Sequence, residues 1–212
     1  MRFDKSSMLL YAVTDRAFEK KQTLYEQVNS AIKGGITMLQ LREKELSEAE
    51  FLKEAEKIKP LCRANDIPFI INDDVDVAVK CGADGVHIGQ NDMAAEKVRQ
   101  IIGEDMILGV SAQTPEQAVK AEEAGADYLG VGAVFPTSTK SDALSVSYET
   151  LKEICASVSI PVVAIGGICA ENIKELSGSG IDGVALVSAI FGAEDIEREC
   201  EILKKLTREV VL

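Results

Sequence analysis

Eight short apolar runs, spread along the whole chain, constrain this sequence more than any other feature. They cover residues 8–13, 37–41, 68–71, 85–88, 107–110, 128–131, 162–165 and 184–187. Each is nearly continuous in apolarity and bounded by Gly, Asp or Pro, as parallel strands covered on both faces should be. Between them, residues 48–64, 94–102, 115–124 and 148–156 repeat their apolar positions at helical spacing. Strand and helix are therefore expected to alternate throughout.

The punctuation agrees with this parse. Gly34-Gly35, Gly82, Gly125 and Gly180 each close a helical pattern ahead of the next strand, where a left-handed cap belongs. Ser47, Thr114 and Ser147 are N-cap candidates, with Glu50, Gln117 and Thr150 three residues later; the first two pairs should form capping boxes. A short repeat, Gly82-Ala83-Asp84, Gly125-Ala126-Asp127 and Gly180-Ile181-Asp182, leads into three of the strands. Its aspartate is expected to accept bonds from local backbone N–H groups at the turn. Eight such units fit a closed α/β fold, a single (β/α)8 TIM barrel. A doubly wound open sheet is the alternative, but no Gly-x-Gly-x-x-Gly turn follows the first strand.

At 212 residues, with no linker or low-complexity tract, the chain reads as one barrel domain over 1–212. A net charge of −12 argues against binding nucleic acid or an anionic membrane, both of which need clustered positive charge. Five widely spaced cysteines without a CxxC pair suit reduced thiols in the cytoplasm. The first apolar run is too short for a signal peptide, and nothing approaches the ~18 apolar residues of a membrane span. Small phosphorylated molecules are the expected partners, and a homo-oligomer is compatible with the sequence.

In a barrel of this kind the active site forms where the strands end. Asn72-Asp73 after the third run and Asp92 beyond the fourth would approach one another as oxygen ligands for one Mg2+ ion. Taken singly, Asp92 also reads as a helix N-cap, and Asp74 and Asp76 as solvated first-turn residues. Arg42 and Lys44 alternate after the second run, so an extended backbone would aim both the same way to grip phosphate; an ordinary surface loop with Glu43 and Glu45 as partners is the other reading. Lys140 lies in a long hydroxyl-rich segment, 133–146, of the kind that forms lids or binding loops. Gly166-Gly167 and Val187-Ser188 fall after the last two strands, where backbone N–H groups commonly hold a phosphate. The single histidine, His87, lies inside the fourth run and reads as a hydrogen-bonded interior residue rather than a base. No Ser-His-Asp grouping appears, so covalent nucleophilic catalysis is not expected.

Taken together and in order, Tyr11 to Arg16, Gln40 to Lys44 (QLREK), Ile71-Asn72-Asp73, Gly85 to Gln90, Gly109-Val110-Ser111, Gly130 to Gly132 with Thr137-x-Thr139-Lys140, and Ala164 to Ile168 resemble the thiamine-phosphate synthase (thiamine-phosphate pyrophosphorylase) family across nearly the whole chain. The resemblance implies a (β/α)8 barrel that joins hydroxymethylpyrimidine diphosphate to a thiazole phosphate and releases pyrophosphate. It implies that Gln40, Leu41, Arg42, Glu43, Lys44, Asn72, Ser111 and Lys140 hold the pyrimidine diphosphate. Thr137, Ser138, Thr139, Gly167, Val187 and Ser188 would hold the thiazole phosphate, and Asp73 and Asp92 the Mg2+. Lys140, Ser111, Arg42 and Lys44 would act in catalysis. The expected mechanism is metal-assisted departure of pyrophosphate, leaving a pyrimidine methylene cation that the thiazole nitrogen captures. One departure is Asp74, where relatives often carry arginine. Two alternatives stay open: a thiazole tautomerase on the same barrel, and a non-catalytic sensor of a phosphorylated ligand.

Overall fold

The structure, a computed structural model, describes residues 4–19, 21–137 and 145–211. Eight parallel strands close into a barrel in chain order, with β1 completing the ring against β8. They are β1 (Leu10–Val13), β2 (Met38–Leu41), β3 (Phe69–Asn72), β4 (Gly85–Ile88), β5 (Ile107–Ala112), β6 (Tyr128–Val131), β7 (Val162–Ile165) and β8 (Gly183–Leu186). All eight overlap the apolar runs. Alternate residues face opposite sides of a strand, and two cores result. Tyr11, Val13, Met38, Ile70, Ile107, Tyr128, Val163 and Ala185 fill the barrel with Met8. Their strand neighbours, among them Leu10, Leu39, Leu41, Ile71, Val86 and Leu129, pack outward against the helices.

The helices are α1 (Leu24–Lys33), α2 (Glu48–Ala64), α3 (Val75–Cys81), α4 (Ala95–Ile102), α5 (Pro115–Glu123), α6 (Tyr148–Ser157), α7 (Ser188–Phe191) and α8 (Ile196–Val211). Ser47 and Glu50 close the expected capping box on α2, and Thr23 and Glu26 close another on α1. Thr114 caps α5 through Gln117 N–H, but the box does not close: the Gln117 side chain accepts from Gln113 N–H instead, at 2.7 Å. Alternation also lapses once. Between β7 and β8 the described chain forms only a 3-10 turn, Ile173–Leu176, because the following Ser177-Gly178-Ser179-Gly180 has little helix propensity and two of its glycines take positive φ. The long α8 packs over that turn and over α1. Among the described residues no helix is long and apolar enough to cross a membrane.

The Gly-x-Asp repeat serves the barrel rather than its own turn. Asp84 Oδ2 accepts from Phe69 N–H at 2.9 Å, Asp127 Oδ2 from Leu108 N–H at 2.7 Å, and Asp182 Oδ2 from Val162 N–H at 2.9 Å. Each aspartate's own N–H donates to the carbonyl of that same residue. The carboxylate thus clamps the first residue of β3 and β7 and the second of β5, supplying an acceptor for an amide at the rim. The remaining strand pair uses Thr37 in the same way: Leu10 N–H donates to Thr37 Oγ1 at 2.8 Å, and Thr37 N–H donates to Leu10 O. Even-numbered strands are therefore latched to odd-numbered ones, four times, at the end of the barrel opposite the strand termini.

Candidate active site

The C-terminal mouth collects most of the residues named from sequence. At β2, Gln40 faces the interior and is almost wholly buried, and its Nε2 donates to Tyr11 Oη at 2.6 Å. Leu41 takes the opposite parity and lies fully buried in the outer core, so its side chain cannot reach the mouth. Beyond it the strand ends and the chain bends. Arg42 N–H donates to Thr14 Oγ1, and its guanidinium reaches Asp15 after β1 at 2.8 Å. Lys44 turns the other way, to Asp73 after β3, at 2.5 Å. The two cations consequently straddle the end of β2 instead of running parallel, because the extended backbone stops at Leu41. Glu43 is nearly buried and holds Arg16 through two bonds, at 2.7 and 3.0 Å. Sequence reading left Asp15 and Arg16 without these roles; their place directly after β1, beside β2, was the available signal.

Asn72 ends β3. Asp73 follows with φ of 62°, a left-handed conformation uncommon for a non-glycine residue, pinned by its N–H bonding His87 O at 2.8 Å. Asp74 is not a solvated first-turn residue: it caps α3, accepting from Val77 N–H at 2.8 Å. Asp92 is not a helix cap either. Its Oδ2 accepts from Gly89 N–H at 2.6 Å, closing the turn after β4, while α4 begins at Ala95 with Ala94 at its N-cap and no side-chain cap. That turn brings Asp92 within hydrogen-bonding reach of Asp73. Burial and the neighbouring Asp73 charge push the Asp92 carboxyl up, against the pull of Gly89 N–H. Burial also works to raise Asp73, but the Lys44 ammonium, together with Asp92 and His87, outweighs it and holds that carboxyl below its usual range. Among the described residues no three His, Cys, Asp or Glu side chains gather as a metal cluster. A cation here would rest on the two carboxylates and on oxygens brought by a ligand or water, which is how Mg2+ is usually held.

Inside the barrel, His87 is hydrogen-bonded as expected, with Nε2 3.0 Å from Ser111 Oγ and Nδ1 3.0 Å from Tyr128 Oη. Tyr128 Oη meets Tyr11 Oη at 2.8 Å. Gln90, from the β4 turn, donates to Ser111 O at 2.6 Å. Reading by strand ends missed both tyrosines. The signal lay in the interior parity of β5 and β6, where Gly109 and Gly130 leave room for two rings: a Cβ on Gly109 would fall 2.2 Å from Tyr128 Cζ and 2.5 Å from His87 Nδ1.

On the far side of the mouth, Gly166 and Gly167 both have positive φ. Their freedom serves packing first, since a Cβ on Gly167 would fall 2.4 Å from Pro136 O, and Phe135 N–H donates to Gly166 O at 3.1 Å. The segment that precedes Thr137 is thereby laid against the β7 loop. Val187 packs on the interior core and Ser188 opens the short α7. Ser138, Thr139 and Lys140 lie outside the described residues, as does the middle of the 133–146 segment.

A closed barrel with paired acidic and basic side chains at one mouth is common to many enzymes, so the comparison with known proteins decides the family. Residues 10–190 match the family model described as thiamine monophosphate synthase. The chain belongs to this family. It is similar to the thiamine-phosphate synthase of Clostridium tetani, 54% identical over 194 residues that cover 92% of this chain and 93% of that protein. Similarity to the thiamine-phosphate synthase of Ruminiclostridium cellulolyticum is 51% over 202 residues, covering 95% and 96%. Among solved structures, a thiamine phosphate pyrophosphorylase from Pyrococcus furiosus superposes with a TM-score of 0.90 at 40% identity, covering 98% of this chain and 99% of the other. Each of these matches spans more than nine-tenths of both chains, and the fold shared with the solved structure takes in nearly the whole barrel.

Proposed function

We propose that this chain is a thiamine-phosphate synthase, a transferase that condenses 4-amino-2-methyl-5-hydroxymethylpyrimidine diphosphate with thiazole phosphate to give thiamine phosphate and pyrophosphate. It would work as one barrel domain over 1–212. The observation that carries the reading is the meeting of Asp73, Asp92 and Lys44 at the mouth of a barrel whose full-length relatives carry that name. A grip for a diphosphate beside a pair of carboxylates is the chemistry that such a leaving group requires.

The two carboxylates fit a hard divalent cation: both are oxygen donors, they face each other, and their mutual repulsion is relieved by positive charge between them. When bound, Mg2+ would neutralise charge gathering on the departing pyrophosphate. Arg42 and Lys44 would exchange their present carboxylate partners for phosphate oxygens, Arg42 as a planar fork and Lys44 as a point charge. Ser111 and Asn72 would hold the same substrate from the interior side, with Gln40 beneath it. Leu41 could contribute only backbone atoms, and Glu43 would act by holding Arg16. Thr137, Ser138, Thr139, Gly167, Val187 and Ser188 would bind the thiazole phosphate across the mouth, and Lys140 would stabilise charge on the leaving group. No side chain needs to attack the substrate: loss of pyrophosphate leaves a pyrimidine methylene cation, and the thiazole nitrogen supplies the electron pair for the new bond.

Mixing the protein with both substrates and Mg2+ should release pyrophosphate and form thiamine phosphate in equal amounts. Chelation of the metal should stop the reaction, and added Mg2+ should restore it. Lys140→Ala should depress turnover far more than stability. Failure to release pyrophosphate from this pair of substrates would sink the assignment.

A further inference from the structure

A hydrogen-bonded chain crosses the barrel interior and joins two residues assigned to one substrate from opposite walls. It runs from Gln40 on β2 through Tyr11 on β1 and Tyr128 on β6 to His87 on β4 and Ser111 on β5. Both phenols are fully buried, and burial raises both well above the ordinary tyrosine range, so each keeps its hydrogen. A Gln amide donates only through nitrogen, and Gln40 Nε2 is the atom on Tyr11 Oη. A hydroxyl that accepts from one neighbour donates more strongly to the next, so aligned chains reinforce themselves. The sense set at Gln40 therefore carries Tyr11 O–H to Tyr128 and Tyr128 O–H to His87 Nδ1. With Nδ1 accepting, the neutral ring bears its hydrogen on Nε2 and donates to Ser111 Oγ. Ser111 is left with its own hydrogen to give.

We propose that Tyr128, relayed from Tyr11 and Gln40, is a positioning residue: it fixes His87 in the Nε2–H tautomer and thereby turns the Ser111 hydroxyl to donate to an anionic oxygen of the bound diphosphate. The last clause rests on the proposed function; the tautomer does not. Orientation of a hydroxyl before the reaction matters because a donor already aimed at developing charge needs no reorganisation when that charge appears. The interior is shaped for the relay, since a Cβ on Gly109 would strike Tyr128 and His87, and one on Gly130 would press on His87 Cε1 at 3.0 Å.

The chain has one histidine, so 15N labelling of histidine gives a single, directly assignable imidazole. In the substrate-free wild type, the Nε2 signal should be that of a protonated ring nitrogen and the Nδ1 signal that of an acceptor. Tyr128→Phe should draw the two signals toward each other as the tautomers mix. Pyrophosphate release by Tyr128→Phe should show kcat reduced roughly tenfold, part of the hundredfold or more that loss of such a donor costs, with KM for thiazole phosphate unchanged. In a Ser111→Ala background the same change should alter kcat less than about twofold, since residues acting through one group are not additive. Should Tyr128→Phe fail to fold, Tyr11→Phe removes the preceding hydroxyl and should move the imidazole signals in the same direction by less. A wild-type Nδ1–H ring, unmoved signals in both variants, or a kcat loss that persists in Ser111→Ala would overturn the proposal. Absence of pyrophosphate release by the wild type, with the tautomer pattern intact, would instead strike at the assigned reaction and remove only the diphosphate as the recipient of Ser111.

Discussion

Lys44 donates to Asp73 across the gap between β2 and β3, at 2.5 Å, and through Asp73 it is tied to Asp92 after β4. Three strand ends thus share one electrostatic cluster. About half of the Lys44 side chain is open to solvent, and Asp73 is partly exposed. Exposed pairs contribute little to stability, typically about 0–1 kcal/mol. Lys44→Ala should therefore leave the urea midpoint nearly unchanged while lowering pyrophosphate release at least tenfold. A large loss of stability with normal turnover would mean that Lys44 serves the fold alone.

The aspartate latches at the opposite end should behave in the reverse manner. Asp84→Ala leaves the buried Phe69 N–H without its acceptor, and Asp127→Ala does the same to Leu108 N–H while also removing a partner of Arg99. Each should cost about 1–3 kcal/mol in denaturant unfolding. Activity per folded molecule should stay near the wild-type value, because the latches lie a barrel length from the mouth.

Gly109→Ala should link the two ends of the interior. Its Cβ would need the space held by Tyr128 and His87. Overpacking of this kind typically costs about 1–3 kcal/mol, and the displaced ring should lower turnover as well. Thermal unfolding and the imidazole 15N signals measured together would report both effects, and wild-type values in either would contradict the described packing.

Burial pushes the thiols of Cys62, Cys155 and Cys200 up to about 12. At pH 8 the thiolate fraction at each is about one in ten thousand. A thiol reagent should react with them slowly in the native protein and promptly in urea. The same shift has a consequence for stability. From about pH 9, where unfolded thiols ionise, to about pH 12, the unfolded chain binds fewer protons than the folded one, so stability falls as pH rises. Each thiol contributes a slope approaching about 1.4 kcal/mol per pH unit within that window. Urea midpoints at pH 8, 9.5 and 10.5 should decline in that order, most steeply above pH 9, and replacing the three cysteines with alanine should flatten the decline.

The eight strands and most of their helices were legible in the amino-acid sequence. Those features are local: apolar runs of strand length, caps at Ser47 and Ser147, and helix-ending left-handed glycines at Gly82 and Gly125 are written in neighbouring residues, whereas only a 3-10 turn precedes Gly180. The order of the strand ends was legible too, since a barrel wound in chain order places the loop after β3 beside the loop after β4. Only the tertiary structure decided which partner each side chain takes. Asp84, Asp127 and Asp182 bond the strand before them rather than their own turn. Arg42 and Lys44 part to opposite neighbours, Asp74 caps a helix while Asp92 closes a turn, and Tyr11 meets Tyr128 across 117 residues of chain. Such choices depend on what the closed barrel sets opposite each group. A hydrogen bond reaches about 3 Å, and no spacing in a linear sequence specifies which of many distant groups will arrive within it.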